Sequence, residues 1–182
     1  ATTRQEVRRD LRHWLERYEG VAIVVTHDPL DALLLSDEVL VLEHGRVSQS
    51  GTIAEVTTRP RTPYVADLLG VNLVRGTAVG RTVSVGEALV HVAEPARGDV
   101  LVTISPRSIT VHRDEPTGSA RNRWKAPVRA IDLLGDQVRL HTEGPIPLIA
   151  EITAEALTVM DVQVGQEVWL AAKATDLVAY QF

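Results

Sequence analysis

The sequence predicts two regions of different fold class: a mixed α/β segment over residues 1 to about 70, and a small all-β barrel or sandwich over residues 71–182. In the first region, helical spacing of apolar residues alternates with short apolar runs. In the second region, short Val-rich segments recur at steady spacing and are divided by Gly, Pro and Asp. Hydrophobic residues make up 45% of the chain and aromatics only 4%, so the core is expected to be mostly aliphatic.

The α/β segment opens with a predicted helix over residues 3–18, followed by Gly20. Val21–Val25 is almost entirely apolar, as is typical of a strand buried on both faces. Asp28 and Pro29 then begin a short helix, because Asp caps helices well and Pro fits their first turn.

The rest of this segment predicts a second buried strand at Val39–Leu42 and a hairpin turn at His44–Arg46. The returning strand and two further short helices are expected at 47–49, 52–57 and 64–69.

The β-rich region predicts ten strands and one helical turn near Thr153–Leu157, which Thr153 can cap. A break at Glu115–Gly118 divides it into two lobes, 71–117 and 118–182. The predicted strands are 73–79, 82–85, 88–92, 100–104, 109–113, 125–132, 136–142, 147–152, 167–173 and 177–181.

The composition excludes several functional classes. The absence of cysteine excludes disulfides and thiolate metal sites, and the six histidines lack metal-ligand spacing, so no metal site is predicted. The net charge of −5 argues against nucleic-acid partners. No apolar run approaches the roughly 20 residues of a membrane span, and no signal peptide is visible, which favours a cytoplasmic chain.

His27 is the first candidate functional residue, because it directly follows the predicted buried strand. The carboxyl ends of strands are where open α/β sheets bind ligands, so His27 could donate to a phosphate or orient a water. The alternative is an ordinary loop histidine.

The run around His27 resembles the last part of the nucleotide-binding domain of ABC transporter ATPases. The resemblance rests on Thr26-His27-Asp28, on Ser36-Asp37 and on the Val-Leu-Glu-x-Gly-Arg hairpin, and it covers residues 1 to about 75. It implies that His27 is the catalytic "switch" histidine that contacts the γ-phosphate of ATP.

The remaining catalytic motifs of such ATPases are absent from the sequence. There is no Gly-x-x-x-x-Gly-Lys-Ser/Thr loop, no Ser-Gly-Gly-type signature segment, and no strand ending in an Asp-Glu pair. We therefore interpret the chain as the C-terminal portion of a longer ATPase. ATP and Mg²⁺ would belong to the full-length parent only, and the chain alone is expected not to hydrolyse ATP.

The second candidate site is a basic cluster in an acidic chain. Residues 119–129 carry four basic side chains and no acidic one. A hydroxyl, a guanidinium, an amide and close backbone N–H groups suit an oxyanion, which needs many donors. The alternative is a solvated basic strand.

This region resembles the molybdate/tungstate-binding Mop β-domain, a branch of the OB-like TOBE fold. The resemblance rests on residues 119–131, on Glu151–Leu157 and on 164–179. It implies that molybdate or tungstate is bound, usually across a subunit interface. The implied ligand residues are Ser119, Ala120, Arg121, Asn122, Lys173, Ala174 and Thr175.

Asp176 departs from this pattern, because a carboxylate within about 5 Å of a dianion opposes binding. Neighbouring strand residues face opposite sides, so Asp176 is expected to point away from Thr175.

Together these observations predict an α/β end of an ABC ATPase domain (1–70) followed by an all-β, OB-like TOBE/Mop domain (71–182). The predicted function is the C-terminal portion of the ATP-binding subunit of a molybdate or tungstate importer. It would form a homodimer through the β-domain, and permease subunits would hold it at the inner face of the membrane. The alternatives are a TOBE domain of a sulfate or sugar importer without an anion site, and a molybdate-responsive DNA-binding regulator, which the acidic charge disfavours.

Overall fold

A computed structural model describes residues 2–182 of the protein. The chain divides into two compact units, one ending at Leu69 and the other beginning at Gly70.

The first unit contains four short helices and one β-hairpin. Strands β1 and β2 are antiparallel, and His44 and Gly45 turn between them with φ angles of 50° and 75°. A small apolar core of Val41, Val56 and Val65 lies beneath the hairpin and helices. The elements are α1 (Thr2–Leu15), α2 (Pro29–Leu35), β1 (Glu38–Glu43), β2 (Arg46–Thr52), α3 (Ile53–Thr58) and α4 (Pro63–Leu69).

The predicted buried strand at Val21–Val25 is wrong for this structure. Residues 21–26 form neither helix nor strand and pair with no strand among the described residues, and Val21 and Val25 are 90% and 93% exposed. A strand buried on both faces needs hydrogen-bonded neighbours and covering layers. Within residues 2–69, the two-stranded hairpin is the only sheet.

The second predicted strand, Val39–Leu42, forms within β1, but its burial is only partial. Val41 is buried, whereas Leu40 and Leu42 are exposed. The predicted first helix also ends early, at Leu15, and leaves Trp14 exposed.

Capping at the start of α3 leads to a pH-dependent prediction. The backbone N–H and the hydroxyl of Thr52 donate to the Glu55 carboxylate over 2.9 and 3.0 Å. The backbone hydrogen bond, followed by the hydroxyl, lowers the pKa of Glu55 below its ordinary value of 4.5. Because the folded pKa is the lower one, this stabilisation is present above pH 4.5 and is lost as the pH falls through the folded pKa.

We expect an NMR titration of the Glu55 carboxyl carbon to give a midpoint below 4.5. Thr52→Ala should raise the midpoint, because the hydroxyl donor is lost. A midpoint at or above 4.5 in the unsubstituted protein would contradict the capping geometry.

The second unit is a curled all-β structure with one helix, α5 (Ala154–Met160), capped by Thr153 as predicted. One sheet has the strand order β10-β4-β3 and the other β5-β9-β6-β7-β8. The strands are β3 (Asn72–Val85), β4 (Ala88–Ile104), β5 (Thr110–His112), β6 (Asn122–Leu134), β7 (Gln137–Thr142), β8 (Ile149–Thr153), β9 (Glu167–Ala172) and β10 (Leu177–Tyr180).

Four of the predicted strands merge into one long hairpin of β3 and β4. The breaks seen in the sequence are an irregularity inside the hairpin: Gly80 pairs with Ala96, whereas Thr82 pairs with His91. The residues between His91 and Ala96 therefore bulge out of the ladder, which bends the hairpin without ending it.

The two predicted lobes exchange strands. β5 follows the first lobe's hairpin but pairs with β9, and β10 ends the second lobe but pairs with β4. Each exchanged strand follows a short 3-10 turn, Pro106–Ser108 or Ala174–Asp176. A single apolar core contains residues of both lobes, including Val83, Val100, Val138 and Leu170.

Candidate functional site

His27 lies in the exposed loop that precedes α2. The loop is tied to α1 and α2. Asp28 caps α2 by accepting from the Leu30 N–H over 2.9 Å. Its own N–H donates to the Thr26 hydroxyl over 3.0 Å.

Arg8 of α1 holds this loop from the other side. Its guanidinium donates to the carboxylates of Asp28 and Asp31, and it is the central cation of the cluster. The hydrogen bond with Asp31 is the largest cause of the raised pKa of Arg8. Sequence analysis did not identify this role of Arg8, because no local pattern signals a partner 20 or more residues away.

The arrangement around His27 orients a loop but does not assemble a phosphate site. The structure places His27 on the surface of the first unit, directly before Asp28, which pairs with Arg8. Phosphoryl transfer depends on several positioned cations and backbone donors, which one histidine does not supply.

The two segments nominated for an oxyanion meet at one end of the β6–β9 pair. Asn122, the first residue of β6, pairs with Ala172, the last residue of β9. Arg121 and Lys173 are therefore the next residues of their chains beyond this last pair of the ladder. Neighbouring strands lie about 5 Å apart, so an ion at this end can contact both segments of one chain.

The loop before β6 is shaped by Arg123, which sequence analysis counted as a basic residue but did not nominate. Its guanidinium donates to the carbonyls of Ala120 and Gly118 over 3.1 and 2.9 Å. With the carbonyls turned towards Arg123, the loop has its N–H groups left for other partners. Within residues 2–182, no acceptor bonds to the N–H of Ser119, Ala120 or Arg121.

Asn122 occupies a different environment from its neighbours. Its side chain is 1% exposed, whereas Ser119 and Arg121 are on the surface. The amide accepts from the His91 N–H over 2.7 Å and donates to the His91 carbonyl over 2.9 Å. The amide expected to face an anion is thus bonded to the backbone of β4.

The second segment forms a turn and not a strand, so the expectation about Asp176 is wrong. Lys173 is exposed and precedes the 3-10 turn, in which the Asp176 N–H donates to the Lys173 carbonyl over 3.0 Å. The Thr175 hydroxyl donates to the Asp176 carboxylate over 3.2 Å. Strand alternation does not apply in a turn, and the carboxylate lies on the same side as the hydroxyl.

Among the described residues, no three His, Asp or Glu side chains cluster closely enough to hold a metal ion. The helices of residues 2–182 are all too short or too polar to cross a lipid bilayer.

Comparison with known proteins decides what the β-rich unit is. Residues 118–179, which include β6, β9 and both nominated segments, match the family described as the TOBE domain. This part of the chain is a TOBE domain. The predicted fold class is confirmed: α/β elements precede an all-β, OB-like TOBE barrel.

Relatives of the TOBE-containing chain extend the similarity to nearly its whole length. It is 35% identical over 175 residues to the molybdate/tungstate import ATP-binding protein WtpC of Pyrococcus horikoshii, covering 95% of the chain and 51% of that protein. It is 34% identical over 174 residues to the sulfate/thiosulfate import ATP-binding protein CysA of Methylococcus capsulatus, covering 90% of the chain and 48% of that protein. The chain thus spans about half the length of the curated relatives it matches, and it corresponds to their C-terminal part.

A solved structure, the cytoplasmic molybdate-binding protein ModG with molybdate bound, shows a distant likeness. The TM-score is 0.47 at 15% sequence identity, over 60% of this chain and 93% of that one. This likeness is too distant to bear on function.

Proposed function

We propose that the chain is the C-terminal portion of the ATP-binding subunit of an ABC importer for molybdate or tungstate. Its TOBE domain would bind the oxyanion and regulate transport. The observation that carries this proposal is that Arg121 and Lys173 both flank the pair that ends the β6–β9 ladder. Backbone N–H groups that have no acceptor within residues 2–182 lie in the same loop as Arg121.

The chemistry of this end of the ladder suits a tetrahedral dianion. A guanidinium provides a rigid fork of donors and an ammonium a compact charge, and both bind oxyanions more strongly than neutral donors do. Backbone N–H groups in a loop add donors without adding a counter-charge. Ser119 supplies a hydroxyl, and Ala120 and Ala174 leave room for close approach of the ion.

In the parent protein, His27 would serve ATP hydrolysis together with the phosphate-binding loop and Mg²⁺ supplied by other segments. The relatives' names, all ATP-binding import proteins, support this assignment. We expect the purified chain to hydrolyse no ATP above background in a phosphate-release assay. Hydrolysis that His27→Ala abolishes would contradict the proposal.

We further propose that the subunit works beside transmembrane permease subunits at the cytoplasmic face of the membrane. The TOBE domain would pair with a second copy of itself, so that oxyanion binding reports on the cytoplasmic supply and inhibits import when the anion is plentiful. Sedimentation of the purified chain with and without tungstate would test the pairing.

The anion site is tested by thermal stabilisation. A ligand at about 100 times its Kd stabilises the folded state by about 2.7 kcal/mol. Molybdate or tungstate is therefore expected to raise the melting temperature of the β-rich unit by about 10 °C. No shift at millimolar anion would refute the site.

A second candidate function is a TOBE domain of a sulfate or sugar importer that binds no anion and acts through protein contacts. The similarity to a sulfate/thiosulfate import protein and the carboxylate of Asp176 beside Thr175 favour it. Pairing of two copies without binding of molybdate, tungstate or sulfate would support this alternative.

Asp176 gives a prediction of opposite sign from the cationic residues. Its carboxylate repels a dianion and accepts the Thr175 hydroxyl, which would otherwise donate to the ligand. Asp176→Asn keeps the shape of the side chain and removes the charge, so tungstate should bind about 10-fold more tightly. Calorimetric titration of both proteins measures this. Weaker binding by the variant would show that the carboxylate supports the site.

A further inference from the structure

Buried side-chain amides connect the two lobes of the β-rich unit. Asn72 and Asn122 are two of the four buried polar residues in the described chain, at 7% and 1% exposure. Each forms a two-way hydrogen-bonded contact with one backbone residue. Asn122 bonds the N–H and carbonyl of His91, and Asn72 bonds those of Ile149 over 2.7 and 2.9 Å.

The two asparagines occupy equivalent places in the exchanged lobes. Asn72 begins β3 and pairs with Ile104, the last residue of β4. Asn122 begins β6 and pairs with Ala172, the last residue of β9. In both cases the partner strand runs directly into a 3-10 turn and then into the exchanged strand.

The backbone groups that the amides bind lie on open strand edges. A residue in an antiparallel pair turns both its N–H and its carbonyl either towards its partner strand or away from it. Both groups of His91 bond to Asn122, so they face away from Thr82 of β3, on an edge that β10 does not reach. β8, which contains Ile149, is the edge strand of its sheet. A primary amide has the donor and acceptor of a peptide group and satisfies such an edge.

We propose that Asn122 is a positioning residue of the oxyanion site: it fastens the Ser119–Arg121 loop to β4 of the other lobe. Asn72 makes the equivalent contact between the lobes through Ile149 and plays no part in the site. That this loop binds an anion rests on the proposed function. The contact itself stands on the hydrogen bonds.

Two features make the Asn122 contact the one that governs the loop. Asn122 directly follows Arg121, so its buried amide fixes where the chain emerges at the ladder's end. The Trp124 indole N–H donates to the Leu89 carbonyl over 3.3 Å, which holds the same stretch of β6 against the same stretch of β4. Asn72, by contrast, precedes a strand that carries none of the nominated ligands.

The test compares Asn122→Ala with Asn72→Ala in the full chain, with tungstate as the probe. Asn122→Ala leaves the N–H and carbonyl of His91 without these partners. Asn72→Ala does the same to Ile149 and also removes a donor from the Ile104 carbonyl. Both variants should therefore melt roughly 5–10 °C below the unsubstituted protein. Amide exchange of His91 should accelerate at least about 10-fold only in Asn122→Ala, and that of Ile149 only in Asn72→Ala. The Kd for tungstate, measured at a temperature where both are folded, should rise at least about 10-fold in Asn122→Ala and less than about 2-fold in Asn72→Ala.

Unchanged tungstate affinity in Asn122→Ala would overturn the proposal, and so would an equal loss in Asn72→Ala. If Asn122→Ala does not fold, Asn122→Ser, which keeps a smaller donor and acceptor, takes its place with the same criteria. If the unsubstituted chain binds no tungstate, the oxyanion function fails. The amide exchange rates of His91 and Ile149 in the two variants then test whether the asparagine side chains hold the two lobes together.

Discussion

Replacing Arg121 or Lys173 with alanine is expected to abolish most oxyanion binding while leaving the fold intact. Both side chains are exposed, and both residues lie directly beyond the Asn122–Ala172 pair that ends the β6–β9 ladder. A hydrogen bond to a charged group contributes about 1.5–3 kcal/mol, so each single variant should lose about 10- to 100-fold in affinity for tungstate. The double variant should show no detectable binding.

The chain provides matched controls for both changes. Lys125 lies on the same β6–β9 ladder, opposite Trp169, and contacts Glu167 over 2.5 Å. Arg129 lies further along β6, with 71% of its side chain exposed. Lys125→Ala and Arg129→Ala remove the same charges from the same strand at a distance from the nominated site. If these controls lose as much affinity as Arg121→Ala and Lys173→Ala, binding reflects the overall field of the strand and not a site.

Removing the last strand is expected to unfold the whole β-rich unit. Truncation after Asp176 deletes β10, whose Leu177 and Tyr180 are 4% and 7% exposed, and removes its ladder with Leu101–Ile104. Loss of two large buried side chains costs more than about 5 kcal/mol, which is comparable to the total stability of a small domain. Circular dichroism and the melting transition measure the outcome.

For the same reason, the separate lobes 71–117 and 118–182 should not fold alone, because each lacks the strand that the other supplies. Deleting only Gln181 and Phe182 is the control. It removes a side-chain hydrogen bond to Arg97 and a ring contact with Arg75, and it should lower the melting temperature only slightly. A folded, cooperatively melting lobe 71–117 would contradict the strand exchange.

Local chemistry made several elements predictable from the sequence. Asp28-Pro29 begins α2, Gly45 turns the first hairpin and Thr153 caps α5, because each effect depends on residues within one turn of chain. The prediction of a buried strand at Val21–Val25 was wrong, because the burial of a strand depends on neighbouring elements that the sequence of the strand does not specify. The exchange of strands between the lobes could not be predicted either, since β4 and β10 are far apart in sequence.

The candidate site shows the same division. The resemblance to the Mop domain nominated both segments, and in the structure they lie at the same end of the β6–β9 pair. The contacts of Arg123 with the loop carbonyls, and of Asn122 with His91, depend on the fold and have no sequence signal. The position of Asp176 was mispredicted because a turn was taken for a strand.

The most direct test of the central claim is calorimetric titration of one preparation of the chain with molybdate, tungstate and sulfate. The account predicts saturable binding of molybdate and tungstate with a Kd below about 100 μM, lost in the Arg121→Ala/Lys173→Ala double variant and kept in Lys125→Ala. The absence of binding heat for all three anions at millimolar concentration, confirmed by an unchanged melting temperature, would contradict it.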